Sequence, residues 1–123
     1  MGKWVILIGN DDLSIEQFES MRFEGNTSLT RNSTSLSIQY SDGYANFIDD
    51  KDGLIISDYD PEEIKALPFN TPVMIMLVYS NYEILKRIVS GNDFPENCII
   101  DCDGVPLGLE QFFPEDRLIN YVE

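Results

Sequence analysis

Asp101 and Asp103, flanking Cys102 and followed by Gly104, are the pair in this chain best spaced for chemistry. On an extended backbone, positions i and i+2 share a face, so the two could hold a metal ion or divide the roles of general acid and base. No further ligands stand at a readable spacing. A second acidic string, Asp49-Asp50-Lys51-Asp52-Gly53, has the outline of a calcium loop. With Gly53 as the turn glycine, however, the first ligand position falls on Ile48 and the twelfth on Tyr59, and the ligand set fails. It reads as a solvated turn. Cys98 and Cys102 lie on a strand and at its end, where four extended residues span roughly 13 Å, too far for a disulfide without a sharp bend. With two cysteines and no histidine, zinc has no ligand set and no Ser–His or Cys–His nucleophile can be assembled. The thiols read as buried. There is no glycine-rich phosphate loop, and no metal or other cofactor is implied.

Charge says more than these motifs. The 123 residues hold 22 acids against 8 bases, a net charge of −14, while the apolar fraction of 43% is that of an ordinary folded protein. Nucleic acid and anionic membranes are therefore disfavoured as direct partners, and a basic protein is favoured. Between Tyr40 and Glu63 the acids Asp42, Asp49, Asp50, Asp52, Asp58, Asp60, Glu62 and Glu63 face one base, Lys51. From Asp93 to Asp116 seven acids stand without any base. Both groups fall at turns and strand ends, interleaved with Tyr44, Tyr59, Phe94 and Tyr121. Mutually repelling carboxylates destabilise a compact state, and a basic partner would give such clusters a use. The plainer account is a set of acidic turns that keep an ordinary domain soluble.

The elements that must position these residues are organised around Pro72-Val73-Met74-Ile75-Met76-Leu77-Val78-Tyr79, the longest apolar run. It lacks alternation, so it reads as a central strand covered on both faces. It is too short to span a bilayer. Residues 3–9 form a first interior strand. Ser14 with Gln17 predicts a capped helix over 14–22, closed by Gly25, and residues 26–35 read as a loop or a ragged edge strand. Leu36, Ile38 and Tyr40 alternate with Ser37, Gln39 and Ser41, and Asp42-Gly43 signals a type I′ hairpin into a returning strand, Tyr44 to Ile48. Leu54 to Tyr59 is expected to complete a three-strand meander. Asp60-Pro61-Glu62-Glu63 opens a short helix over 61–66, stopped by Pro68. Ser80 with Glu83 is a second capping box, opening a helix over 81–90 with Ile84, Leu85, Ile88 and Val89 on one stripe. Residues 97–101 are a further strand. Leu107, Leu109, Phe112 and Phe113 supply a last segment, helix or strand. The strand–helix–strand order from 73 to 101 implies two parallel strands joined by a crossover. The expected fold is one α+β domain over residues 1–123. Its sheet is mixed but mainly antiparallel, with a three-strand meander, a strand–helix–strand unit and the helices mostly on one face. No positively charged region precedes an apolar one near the start, so no signal peptide is expected. Cytoplasmic residence is then the default, and the triplets at Asn26 and Asn32 are idle glycosylation matches.

A small, strongly acidic α+β chain without catalytic residues resembles the immunity proteins of bacterial polymorphic-toxin and contact-dependent growth inhibition systems. The resemblance rests on size, acidity, missing chemistry and the run of elements over residues 1–113. It implies a non-enzymatic inhibitor, monomeric until it joins a heterodimeric complex, that binds the basic C-terminal domain of a cognate toxin such as a nuclease and covers its active site. Carboxylates of residues 42–63 and 101–103 would then mimic phosphates toward toxin lysines and arginines. Charge density selects Asp49, Asp50, Asp52, Asp58, Tyr59, Asp60, Asp101 and Asp103 as the partner-binding residues. Two other classes fit the same composition. One is an acidic secretion chaperone acting as a homodimer, which would need a large exposed apolar groove. The other is a small carboxylate-dependent enzyme built on Asp101 and Asp103.

Overall fold

The computed structural model describes residues 3–23, 25–91, 93–95, 98–102 and 105–108. Seven strands form one sheet in the order β2-β3-β4-β5-β1-β6-β7. In chain order they are β1 Lys3–Gly9, β2 Asn26–Arg31, β3 Ser35–Tyr40, β4 Gly43–Asp49, β5 Val73–Tyr79, β6 Ile99–Cys102 and β7 Val105–Gly108. Three helices accompany them: α1 Ile15–Glu19, α2 Pro61–Lys65 and α3 Tyr82–Val89. The class is α+β, as expected. No helix among the described residues is long and apolar enough to cross a membrane.

The apolar run does take the middle of the sheet. β5 pairs with β1 along its whole length and with β4 on its other side, both antiparallel. Alternation then divides it: Ile75, Leu77 and Tyr79 join the larger core on one face, while Met74 joins a smaller cluster on the other. Every ladder is antiparallel. β5, α3 and β6 do form the strand–helix–strand unit, and the two strands run parallel, but β1 lies between them.

Several local expectations change. The meander is β2-β3-β4, so its third strand comes from Asn26–Arg31. Leu54 to Tyr59 is not a strand; the chain there passes through two 3-10 turns, Lys51–Gly53 and Ile56–Asp58. The reason is Asp50, whose carboxylate accepts from the backbone N–H groups of Ile55 (2.6 Å) and Ile56 (3.1 Å), donors a ladder would otherwise use. The hairpin between β3 and β4 turns at Ser41 and Asp42, with Tyr40 opposite Gly43. Neither turn residue has a positive φ, so the turn is not type I′. Gly43 is needed for close approach instead, since a Cβ there would overlap Ser80 Oγ and Ile84 Cδ1. Ser80 is therefore not the cap of α3. Its hydroxyl accepts from Tyr44 N–H at 2.9 Å, and Asn81 caps the helix by accepting from Ile84 N–H at 3.2 Å. α1 is shorter than expected, but Ser14 caps it through Gln17 N–H as the spacing predicted. Leu107 lies in β7; Leu109, Phe112 and Phe113 lie outside the described residues.

The helices divide unequally between the faces. α1 and α3 close the first face through Ile15, Phe18, Ile84, Leu85, Ile88 and Val89, with Phe18 stacked on Phe47 at 4.3 Å. On the second face the buried hydrophobic cluster is Ile6, Ile8 and Met74. Their cover is the segment 51–69, which lays Ile55, Ile56, Tyr59, Ile64, Leu67 and Phe69 on them.

Candidate functional site

The cover of the second face runs out along the strands. In register, Ile8 lies beside Met74, Ile6 beside Met76 and Trp4 beside Val78. Ile8 is fully buried, Ile6 is 4% exposed and Trp4 is 59% exposed. Where the segment 51–69 stops, a cleft of about 330 Å³ opens, lined by Trp4, Ile6, Ile55, Asp58, Tyr59, Met76 and Asp101. A volume of that order falls at the small end of ligand sites.

Backbone register places its floor. Met76, Ile6 and Asp101 sit side by side on β5, β1 and β6, so the row ends in a carboxylate beside two apolar side chains. Asp101 is 5% exposed, the one buried charged residue among those described. Tyr59 reaches it from the second 3-10 turn and donates its hydroxyl proton to Asp101 Oδ2. Burial first, and then this bond, holds the Tyr59 phenol far above its ordinary pKa, so it remains a donor. Oδ1 of the same carboxylate is buried and has no hydrogen-bond partner. A buried carboxylate oxygen left unpaired is costly, and Asp101, which lines the cleft, lacks a donor for this one.

The sequence-selected residues separate into three groups here. Tyr59, Asp101 and Asp58 are brought together at the cleft. Asp50 and Asp60 serve the backbone: Asp50 binds the Ile55 and Ile56 N–H groups, and Asp60 caps α2, its own N–H held by Glu63 at 2.9 Å. Asp49 and Asp52 are exposed at the turn, Asp49 accepting from Asp50 N–H and Asp52 in the left-handed region at φ 62°. Asp103 lies outside the described residues, and so does any pairing with it. Among the described residues no three acids or cysteines converge on a point where a metal could sit. Cys98 is a buried thiol, as expected, and the side chain of Cys102 lies outside the described residues.

Trp4, Ile6, Ile55 and Met76 were not singled out from the sequence. A signal for Trp4 exists, because it shares a strand face with Ile6 and Ile8, but nothing local says the cover stops short of it. The ion pairs of Arg31 with Glu16 (3.1 Å) and Glu19 (3.6 Å), and of Arg87 with Asp42 (3.2 Å), lie away from the cleft. Of the acids at 49–63, Asp58 lines this apolar cleft, whose one buried polar residue among those described is Asp101. Comparison of the chain with known protein families, with curated proteins and with solved structures gave no match, so the reading of this site rests on its own geometry.

Proposed function

We propose that this chain is a cytoplasmic, non-enzymatic inhibitor of the immunity-protein type, which binds a basic toxin domain and covers its active site. The observation that carries this reading is the placing of exposed apolar anchors among carboxylates. Leu54 (69% exposed) lies within a segment that also exposes Asp49, Asp52, Asp58, Asp60 and Glu62, and Trp4 (59%) shares the cleft with Asp58. Aromatic and aliphatic anchors within a charged surround are how a tight interface is built, and net charge of −14 accelerates encounter with a basic partner. Asp50, tied to the backbone, supports this surface and is not counted among its contacts.

The test is the affinity for the basic domain encoded by the neighbouring reading frame, measured with Asp49, Asp52 and Asp58 together reversed to lysine. Repulsion should weaken the complex by roughly 100-fold or more at low salt, mainly through slower association. Unchanged affinity would remove the acidic segment from the interface. A second reading, a small carboxylate-dependent enzyme, draws support from Asp101 alone, which is held by Tyr59 in an apolar cleft as a general base would be.

A further inference from the structure

We propose that the cleft between Trp4, Tyr59 and Asp101 is a seat for one guanidinium group, delivered by an arginine side chain of the basic partner. That the group arrives on a partner's arginine rests on the function proposed above; that the cleft takes a guanidinium does not.

Three features converge on this chemistry. Asp101 lines the cleft with Oδ2 occupied by Tyr59 and Oδ1 buried without a hydrogen-bond partner, so the carboxylate still lacks a donor. A charged N–H donor is the partner that repays burial of a carboxylate best. Trp4 presents an exposed indole at the mouth, the ring on which a cation binds most strongly. Ile6, Ile55 and Met76 supply apolar walls, which a planar, weakly hydrated guanidinium tolerates better than the compact, strongly hydrated ammonium of lysine. A metal ion is poorly served, because the described residues bring no three acidic or cysteine ligands together. A neutral amide could satisfy Oδ1 but would gain nothing from the indole or from Asp58 at the rim.

The experiment titrates the full chain with N-acetyl-arginine amide and follows the fluorescence of Trp4, the only tryptophan. A ligand of this size should give a saturable change with a midpoint on the order of 1 mM. The isosteric neutral probe N-acetyl-citrulline amide should bind about tenfold more weakly or not at all. Asp101→Asn keeps the side-chain shape and should weaken arginine amide binding about 10- to 100-fold, with thermal melting compared to confirm folding. Trp4→Leu, at an exposed position, serves as the second variant, read through the amide NMR shifts of Ile6 and Tyr59. The proposal is overturned by equal binding of the citrulline probe, or by the absence of saturation at tens of millimolar. In the complex with the basic domain, both variants should raise the dissociation rate. If they leave it unchanged while the Asp49, Asp52 and Asp58 reversal still weakens the complex, the arginine seat is wrong and the docking reading stands. If arginine amide binds but no basic protein is retained, the cleft is a guanidinium site and the inhibitor reading is what fails.

Discussion

The two faces of this sheet are built from the same strands and do different work. On the first, β1, β3, β4, β5 and β6 send Leu7, Leu36, Ile38, Phe47, Ile75, Leu77 and Ile100 inward to complete burial under α1 and α3. On the second, the same β1 and β5 send Ile6, Ile8 and Met74 against a cover made of two 3-10 turns and a five-residue helix. Each face has one five-residue helix, but only the first adds the eight-residue α3. Its stripe of Ile84, Leu85, Ile88 and Val89 excludes water, whereas the turns on the second face leave gaps. The first face therefore contributes stability, and the second trades some of it for a cleft lined by a buried carboxylate and an exposed indole. The acids follow that division. Glu16, Glu19 and Asp42, beside the first face, pair with Arg31 and Arg87, whereas Asp52, Asp58, Asp60, Glu62 and Glu63 lie on the cover of the second face.

Equal sensitivity of the two faces to truncation would break this comparison. Phe47→Ala, removing a fully buried ring stacked on Phe18, should cost about 3–5 kcal/mol in denaturant unfolding. Ile64→Ala, half-buried in the second-face cover, should cost about 1–2 kcal/mol. Similar losses would mean that the cover is as tightly packed as the main core.

A smaller change sharpens the same contrast. Asp50→Ala removes the acceptor of the Ile55 and Ile56 N–H groups and should cost about 1–2 kcal/mol. Hydrogen exchange should speed up at Ile55 and Ile56 while Leu7 and Leu77 keep their protection. Uniform acceleration across both sets would show that the cover and the sheet open as one unit.

The smallest effect is read from pH. Burial pushes the Cys98 thiol up to about 12 from an ordinary 9.0, against a weaker opposing hydrogen bond from the Ile8 backbone. Above pH 9 the unfolded chain releases this proton while the folded chain keeps it. The contribution is thus fully present below pH 9 and is lost progressively as pH rises toward 12. By pH 10 the wild type should have lost on the order of 1 kcal/mol that Cys98→Ala does not lose. Parallel pH profiles for the two proteins would place Cys98 in contact with solvent and weaken the account of a sealed first face.

Much of the architecture was legible locally. An unbroken apolar run announced the central strand, Ser14 and Asp60 announced their helix starts, and alternation announced β3. Those signals rest on short-range geometry: side-chain period, caps within three residues, and proline's missing N–H. The segment 54–59 misled because its apolar residues suit a strand, while a carboxylate several positions earlier captures its donors and curls it. Tyr59 and Asp101 were chosen for charge density, and the fold joins them by a hydrogen bond across 42 positions of sequence that no local pattern encodes.

Composition and short-range pattern by themselves determined that this chain makes an acidic α+β sheet protein, because hydrophobic period and net charge are properties of neighbouring residues. Only the tertiary structure decided which carboxylates became backbone caps, which stayed exposed, and which one was buried beside Tyr59. That choice depends on where the cover of the second face ends, a consequence of how distant strands align and how far a short segment can reach across them.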